Sequence, residues 1–237
     1  MDCFVTYKWI KSQLKKSGRL DPKKYRMSQN ILVINQYYAP DVASSGQILA
    51  DLCEGLVSQG HTISMVCGQP SYEKGAMDVA PKEKLGGVDV YRTSMGFAKG
   101  RSNFLFRILG YLIFLWQAWL QASVLIRKEN FDVVITLSNP PFVGVIGALI
   151  SRQYKIRYLA VVYDIHPDVV QATGWIKLPR FIFSLWNQAA RWILKHAEKV
   201  VVLGEGMKET LIDTKGVQPE NISVIPIWGI PEISVAS

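Results

Sequence analysis

The residues best suited to acid–base chemistry lie in one short run, Asp164-Ile-His-Pro-Asp168. An imidazole changes its protonation near neutral pH, and neighbouring carboxylates shift its pKa. A lone histidine is more often structural, but His166 lies between two carboxylates just after an apolar stretch, Tyr158 to Tyr163, that is typical of a strand. We therefore interpret His166 and Asp164 as candidate catalytic residues and Asp168 as a candidate substrate-binding residue.

A second group of polar residues follows the first apolar strand, Ile31 to Asn35. The loop after this strand ends in Ser44-Ser45-Gly46, where a helix begins, and such a loop can present backbone N–H groups to an anion. The alternative is that the serines only cap the helix. The candidate substrate-binding residues of this loop are Tyr38, Ser44, Ser45 and Gly46.

Two further polar side chains come directly after predicted strands. Asn139 follows the strand that ends at Leu137, and Glu205 follows the strand Val200 to Leu203. Ligands of parallel sheets bind at the carboxyl ends of the strands, so both residues join the candidate substrate-binding set.

These positions depend on an alternation of strands and helices along the chain. Apolar residues at helical spacing predict a helix from Ile48 that ends at Gly60. Further helices are predicted at 108–126, 142–151, 181–196 and 205–215, and strands at 31–35, 62–67, 88–92, 132–137, 158–163, 200–203 and 222–225. Residues 68–87 and 96–103 are predicted to be loops. Near-continuous Val, Ile and Leu strands between helices predict an α/β fold with a mostly parallel sheet and helices on both faces.

The apolar run from Ile108 to Ile126 is uncharged and flanked by basic residues. Its length reaches the roughly 18 residues that a membrane span needs, so it could span, belong to the core or lie at a membrane interface. Gln117 and Gln121 interrupt it on one face, and a span would separate the strands 31–35 and 132–137, which should pair. A buried or interfacial helix is therefore favoured.

The bulk composition narrows the classes of partner. The 237-residue chain has a formal charge of +8, which favours anionic partners such as phospholipid head groups or nucleotide phosphates. A solvated basic tail is the alternative, because basic residues cluster before the first strand, at Lys8, Lys11, Lys15, Lys16, Arg19, Lys23, Lys24 and Arg26. No zinc-finger, helix-turn-helix or RNP pattern accompanies the charge, so nucleic acid is not expected as a partner.

The cysteines and the N-terminus indicate the compartment. Cys3, Cys53 and Cys67 lack metal-ligand spacing and two of them fall on a predicted helix and strand, which favours buried thiols in a reducing cytoplasm. Residues 1–26 lack the apolar core of a signal peptide, and Met27 is an alternative start site.

Three enzyme classes with glycine-dependent motifs are disfavoured. A dehydrogenase would need Gly-x-Gly-x-x-Gly and an acidic residue after the second strand, whereas Met65-Val-Cys-Gly-Gln69 supplies none. The Gly-Lys-Ser/Thr of a P-loop and the Gly-x-Ser-x-Gly elbow of a hydrolase are also absent from the sequence.

Several blocks together resemble a known family. They are Tyr37-Tyr-Ala-Pro-Asp41, Ser45-Gly46, Ser58-Gln-Gly-His61, Ser138-Asn-Pro-Pro141, Asp164-Ile-His-Pro-Asp168, Ala197 to Met207 and Ile222 to Trp228. The combination resembles the N-terminal half of a family 4 glycosyltransferase, of the subgroup that builds bacterial exopolysaccharide and O-antigen. The resemblance covers residues 31 to about 230.

The resemblance implies a GT-B enzyme with two Rossmann-like domains and an active site between them. Such enzymes transfer a sugar from a nucleotide-sugar with retention of configuration, without a bound metal or other cofactor, and often to lipid-linked glycans at the cytoplasmic face of the plasma membrane. The Gly46 loop would then approach the donor phosphate or the acceptor, and His166 would line the reacting centre. One departure is Ser45-Gly46, where the family usually has two glycines.

The resemblance also implies a domain plan: a basic extension over 1–29, a Rossmann-like acceptor-side domain over 30–228 and a truncated interdomain linker over 229–237. The family's donor pocket, with paired glutamates, lies in a C-terminal domain. We therefore expect a split or fragmentary enzyme that is inactive alone and pairs with a separate C-terminal half or with itself. The alternative is a non-catalytic module that binds a glycan, a lipid or a partner chain.

Overall fold

A computed structural model describes residues 28–41, 43–70, 79–94, 104–174 and 179–227. The predicted basic extension up to residue 27, the loop 96–103 and the linker 229–237 lie outside the described residues. The domain boundaries therefore stay predictions.

The described residues form an alternating series of strands and helices. The strands are β1 (Asn30–Ile34), β2 (Thr62–Gly68), β3 (Lys82–Leu85), β4 (Val88–Thr93), β5 (Val133–Leu137), β6 (Arg157–Val162), β7 (Lys199–Val202) and β8 (Ile222–Val224). The helices are α1 (Ser44–Ser58), α2 (Phe104–Lys128), α3 (Val143–Tyr154), α4 (Asp168–Thr173), α5 (Arg180–Lys195) and α6 (Glu205–Thr210), which a π-helical turn, Leu211–Lys215, extends.

The strands form one sheet in the order β3-β4-β2-β1-β5-β6-β7-β8. Neighbouring strands are parallel except for β3 and β4, which are antiparallel. The chain moves outward from β1 to β4, then returns to place β5 on the other side of β1. This reversal creates a crevice at the carboxyl ends of β1 and β5, where doubly wound sheets bind ligands. The predicted α/β, Rossmann-like fold is confirmed.

Helices cover both faces of the sheet, as predicted. On one face, Leu49 and Cys53 of α1 pack with Val33 and Met65 in a buried cluster. On the other face, α2, α3 and α5 contribute residues such as Phe114, Ile146 and Leu194 to a second cluster. The strands between them are nearly continuously apolar because both of their faces are buried.

Helix α2 is the long apolar helix of the sequence. Its segment Leu109–Lys128 is long and apolar enough to cross a membrane, yet it lies along the sheet as a crossover between β4 and β5, and Phe114, Ala118 and Ala122 are buried. Its opposite side is exposed over much of its length.

The structure differs from the prediction at three places. β3 lies within the predicted loop 68–87, because its lysines interrupt any apolar pattern. It pairs with β4 in a hairpin whose turn is Gly86 and Gly87. The φ values of these glycines, 55° and 84°, suit a two-residue hairpin turn. The short helix α4 was not predicted. The predicted helix 205–215 changes from α-helical to π-helical at Leu211.

Candidate functional site

A small pocket opens at the carboxyl ends of β5 and β6. It encloses about 70 Å³ between these strands, the N-terminus of α3 and the inner side of α5. Its polar lining residues include Ser138, Asp164, His166 and Lys215, and its aromatic walls are Phe142, Tyr158 and Trp186. The volume admits a few water molecules or one substituent of a larger ligand.

His166 lines this pocket and packs against its aromatic residues. Its ring stacks on Trp186 with centroids 5.7 Å apart and planes at 17°, and Phe142 packs 5.2 Å from the same indole. Nδ1 is buried and has no hydrogen-bond partner among the described residues.

The surroundings of His166 favour a neutral imidazole. Burial lowers its pKa from 6.5, and the charge of Lys215 acts in the same direction, while Asp164 and Asp168 oppose them. A neutral imidazole can accept one hydrogen bond and donate another. A neutral imidazole that lines an open pocket can therefore bind or take a proton from a substrate hydroxyl.

Asp164 lies on the solvent side of the same pocket. Its carboxylate is exposed, while its backbone N–H and that of Tyr163 donate to Ser138 Oγ over 3.1 Å and 2.9 Å. Ser138 thereby ties the end of β5 to the loop that carries the histidine. The structure brings the two predicted catalytic residues, His166 and Asp164, to one pocket.

Asp168 has a structural partner that the sequence did not suggest. Its carboxylate forms an ion pair with the ammonium of Lys215, which also donates to Asn187 Oδ1 over 2.6 Å. Lys215 is 5% exposed. Asp168 thus holds a buried cation, while its own side chain is 30% exposed, so its role in substrate binding stays a prediction.

Asn139 and Glu205 lie at the same edge of the sheet but outside the pocket lining. Asn139 is half-buried after β5, next to the lining residues Ser138 and Pro140. Glu205 is exposed at the first turn of α6 and pairs with Lys208 at 3.3 Å. Both side chains are accessible to a ligand that extends along the edge.

Tyr38 does not belong to the accessible site. Its side chain is 1% exposed within the core cluster under α1, its hydroxyl faces the thiol of Cys53, and burial raises its pKa well above the usual range. The placement of Tyr38 in the substrate-binding set is therefore a sequence-based error, since a tyrosine after a strand looks the same whether it points outward or inward.

Gly46 is needed for packing of the loop on its own helix. A Cβ there would lie 3.1 Å from the backbone nitrogen of Tyr38 and 3.2 Å from the carbonyl carbon of Tyr37. Its N–H donates to the Ala43 carbonyl over 2.8 Å. The close approach that the glycine permits is thus to this chain's own backbone.

Ser44 and Ser45 form the first turn of α1 at the carboxyl edge of β1. The residue that caps the helix is Ala43, and no side chain makes a capping hydrogen bond. The capping alternative is therefore wrong, and the two hydroxyls remain candidates for ligand contact. They lie two strands from the histidine loop, roughly 10 Å along the edge.

Three important residues were missed by sequence reasoning. Lys215 looks like an ordinary basic residue at the end of a helix, and Trp186 like one of several aromatic residues in an amphipathic helix. Arg92 is buried and bonds Glu83 Oε1 at 2.9 Å and 2.5 Å and the Ala39 carbonyl at 2.6 Å, which fixes the loop after β1. None has a local signal, because each acts through residues far away in the chain.

The fold is a doubly wound α/β domain with polar residues at the carboxyl ends of β1, β5 and β6, the edge at which domains of this class bind ligands. The glycosyl transferase 4-like domain family matches residues 45–228, more than half of the chain. The protein belongs to this family of glycosyltransferase domains, as the sequence blocks indicated.

Individual relatives are distant. WbjE of Pseudomonas aeruginosa, described as a probable glycosyltransferase, is 24% identical over 102 residues, which are 43% of this chain and 25% of WbjE. HepE of Anabaena, solved in complex with UDP-glucose, is 15% identical with a TM-score of 0.51, over 85% of this chain and 44% of HepE.

A second solved structure is similar to this chain to the same degree. UGT2 of Phytolacca americana is 12% identical with a TM-score of 0.51, over 86% of this chain and 53% of UGT2. Identities this low show the fold alone. The chain spans about a quarter to a half of the length of the relatives it matches.

Metal ligands do not converge in the described part of the chain, where no group of three or more His, Cys, Asp or Glu side chains could hold an ion. The expectation of transfer without a metal stays a prediction.

Proposed function

We propose that this chain is the acceptor-side domain of a retaining glycosyltransferase of cell-surface polysaccharide synthesis. It would move a sugar from a nucleotide-sugar to a lipid-linked glycan. The observation that carries the proposal is His166, held against Trp186 at the carboxyl edge of the sheet with Nδ1 buried and unpartnered.

The remaining edge residues extend the acceptor site away from the histidine. Asp164 offers an exposed carboxylate beside the imidazole, and Asn139, Ser44 and Ser45 offer neutral donors and acceptors along the crevice between β1 and β5. Glu205 offers a second carboxylate on the other side, beyond β7. Sugar hydroxyls are recognised by such mixed hydrogen-bonding groups.

The donor would be held largely by a second domain. HepE, solved with UDP-glucose, is matched over less than half of its length, and GT-B enzymes close two Rossmann-like domains over the reactants. We therefore propose that a nucleotide-sugar binds between this domain and a C-terminal half, and that this chain alone does not turn over.

We also propose a peripheral location on an anionic membrane. Helices α2, α3 and α5 contain no Asp or Glu, while α1 on the opposite face contains Asp51 and Glu54 and no Lys or Arg. The outer surface of α2 exposes large apolar side chains at helical spacing: Leu109, Leu112, Trp116, Leu120 and Val124. Phe181, Ile182 and Leu185 do the same on α5.

Basic residues border this apolar surface. The last turns of the three helices carry Arg127 and Lys128, Arg152, and Lys195. All three helices run back across the sheet, so these cations lie at the same edge of the domain. An apolar face with a basic border is complementary to a bilayer surface that contains anionic lipids.

The test is sugar transfer to an extracted lipid acceptor, with radiolabelled UDP- and GDP-sugars, by the chain alone and by the chain combined with a separately expressed donor-binding domain of a GT-B enzyme. In an active combination, His166→Ala should lower the rate by about 10²–10⁴-fold, the usual contribution of a positioned proton-transfer group. The control is His196→Ala, because His196 lies outside the pocket and bonds the Trp192 carbonyl at 2.7 Å.

An unchanged rate in His166→Ala would remove this residue from the reacting centre. If no combination transfers a sugar but the chain alone binds the lipid-linked glycan, the domain acts as a binding module instead.

A further inference from the structure

Lys215 is a buried cation at the back of the histidine pocket. It ends the π-helical turn that follows α6, and Gly216 after it takes a left-handed φ of 71° that ends the turn. Its side chain is 1% exposed. A buried ammonium is costly unless its donors are satisfied, so its partners are expected to be held firmly in place.

The two partners of this ammonium belong to the two elements that flank His166. Asp168 is two residues after the histidine, at the start of α4, and fixes the turn that carries the imidazole. Asn187 is next to Trp186 on α5, the residue on which the imidazole stacks. One cation therefore joins the turn that carries the ring to the helix that supports it.

We propose that Lys215 is a positioning residue for His166, which sets the orientation of the imidazole through Asp168 and Asn187 and keeps a positive charge behind it. The inference rests on the proposed role of His166 at the reacting centre. Lys215 itself needs no contact with a substrate.

The charges around the imidazole predict in which direction the pKa of His166 changes when Lys215 or Asp168 is replaced. The charged groups that face the imidazole are Asp164 on its own loop, Asp168 on α4 and Lys215 after α6. The neighbours from α3 and α5 that line the pocket, Phe142 and Trp186, are uncharged. Removing Lys215 should therefore raise the pKa of His166, and removing the charge of Asp168 should lower it further.

A purely structural role predicts a different pattern. If the ion pair only held the fold together, either variant would loosen the pocket and hydrate the imidazole. The pKa of His166 would then rise toward its ordinary value in both variants, because burial is the main cause of its depression.

The experiment is an NMR titration of His166 in the 237-residue chain, with Lys215→Met and Asp168→Asn. The matched control is Lys208→Met, whose ammonium pairs with Glu205 outside the pocket. We expect the titration midpoint to rise in Lys215→Met and to fall in Asp168→Asn. The ring protons of His166, shifted by the stacked indole, should also lose that shift in Lys215→Met.

Two results would overturn the proposal. The first is a Lys215→Met chain that folds and in which the titration midpoint and the ring-proton chemical shifts of His166 equal those of the parent. The other is a rise of the midpoint in Asp168→Asn, which alone decides the matter if Lys215→Met does not fold. Because no donor or acceptor is present, failure of sugar transfer leaves this measurement unaffected.

Discussion

At the scale of single residues, two glycines of α3 determine how closely this helix approaches the sheet. A Cβ on Gly147 would lie 2.4 Å and 2.8 Å from the ring of Tyr158, and one on Gly144 would lie 2.8 Å from its hydroxyl. Tyr158 is fully buried and shares a 2.8 Å hydrogen bond with Thr136 Oγ1. The glycines therefore make room for the Tyr158 ring, which lines the histidine pocket.

We predict that Gly147→Ala destabilises the chain by about 1–3 kcal/mol, because the added methyl group overlaps the buried Tyr158 ring, and moving the ring would strain its hydrogen bond to Thr136. Urea unfolding measures the loss. Gly206→Ala is the control: a Cβ there meets no atom within 4 Å, so a small gain of about 0.5 kcal/mol is expected in the helix α6. Equal stability of Gly147→Ala and the parent would show that Tyr158 can occupy another position.

At the scale of elements, the helices on the two faces of the sheet differ in the polarity of their outer surfaces. α1 presents a polar outer surface with acidic residues, whereas α2 and α5 present apolar residues, of which Trp116 is 64% and Phe181 66% exposed. Exposed apolar surface of this extent on two helices of the same face of the sheet is typical of an interaction site. An anionic membrane, the occupant proposed above, would also account for the basic helix ends.

We predict that the chain cosediments with vesicles containing phosphatidylglycerol, less with pure phosphatidylcholine, and less as salt is raised. Replacing Leu112 and Trp116 together by Ser should weaken this binding at least about tenfold, since two apolar side chains no longer enter the interface.

The control for the vesicle experiment is Ile227→Ser, which removes an exposed apolar residue from the β8 side of the sheet. Equal binding by the double variant and this control would contradict the assignment of the helical face. At high salt, both the double variant and the control are expected to lose binding to anionic vesicles.

At the scale of the whole molecule, two histidines couple folding to pH. Burial lowers the pKa of both His61 and His166 below 6.5 in the folded chain. Around and below this pH the unfolded chain therefore binds more protons than the folded chain. The contribution of the two histidines is fully present above pH 6.5 and is lost as the pH falls.

We predict that the urea midpoint at pH 5.5 is lower than at pH 7.5, and that His166→Gln reduces the difference because only His61 of the pair then remains. The measurement stays above pH 5 to avoid most carboxylate titration. A midpoint that is flat or rises toward pH 5.5 would contradict the burial of these histidines.

Local patterns were sufficient for much of this protein. Continuous Val, Ile and Leu runs between amphipathic segments determined the α/β class, and polar residues directly after strands indicated the ligand edge, because side-chain periodicity and strand ends are local properties. The family blocks, now supported by the family match over 45–228, also lie along the chain in order. β3 was not predicted as a strand, because an exposed edge strand needs no apolar pattern.

Only the tertiary structure decided which polar residues face a ligand and which face the protein. Tyr38 is turned into the core, Gly46 packs on its own loop, and Asp168 is engaged by a lysine 47 residues away. Arg92 reaches the Ala39 carbonyl across 53 residues. Such assignments depend on distances between elements that are remote in sequence. Residue type and spacing along the chain do not encode those distances; the packing of helices on the sheet sets them.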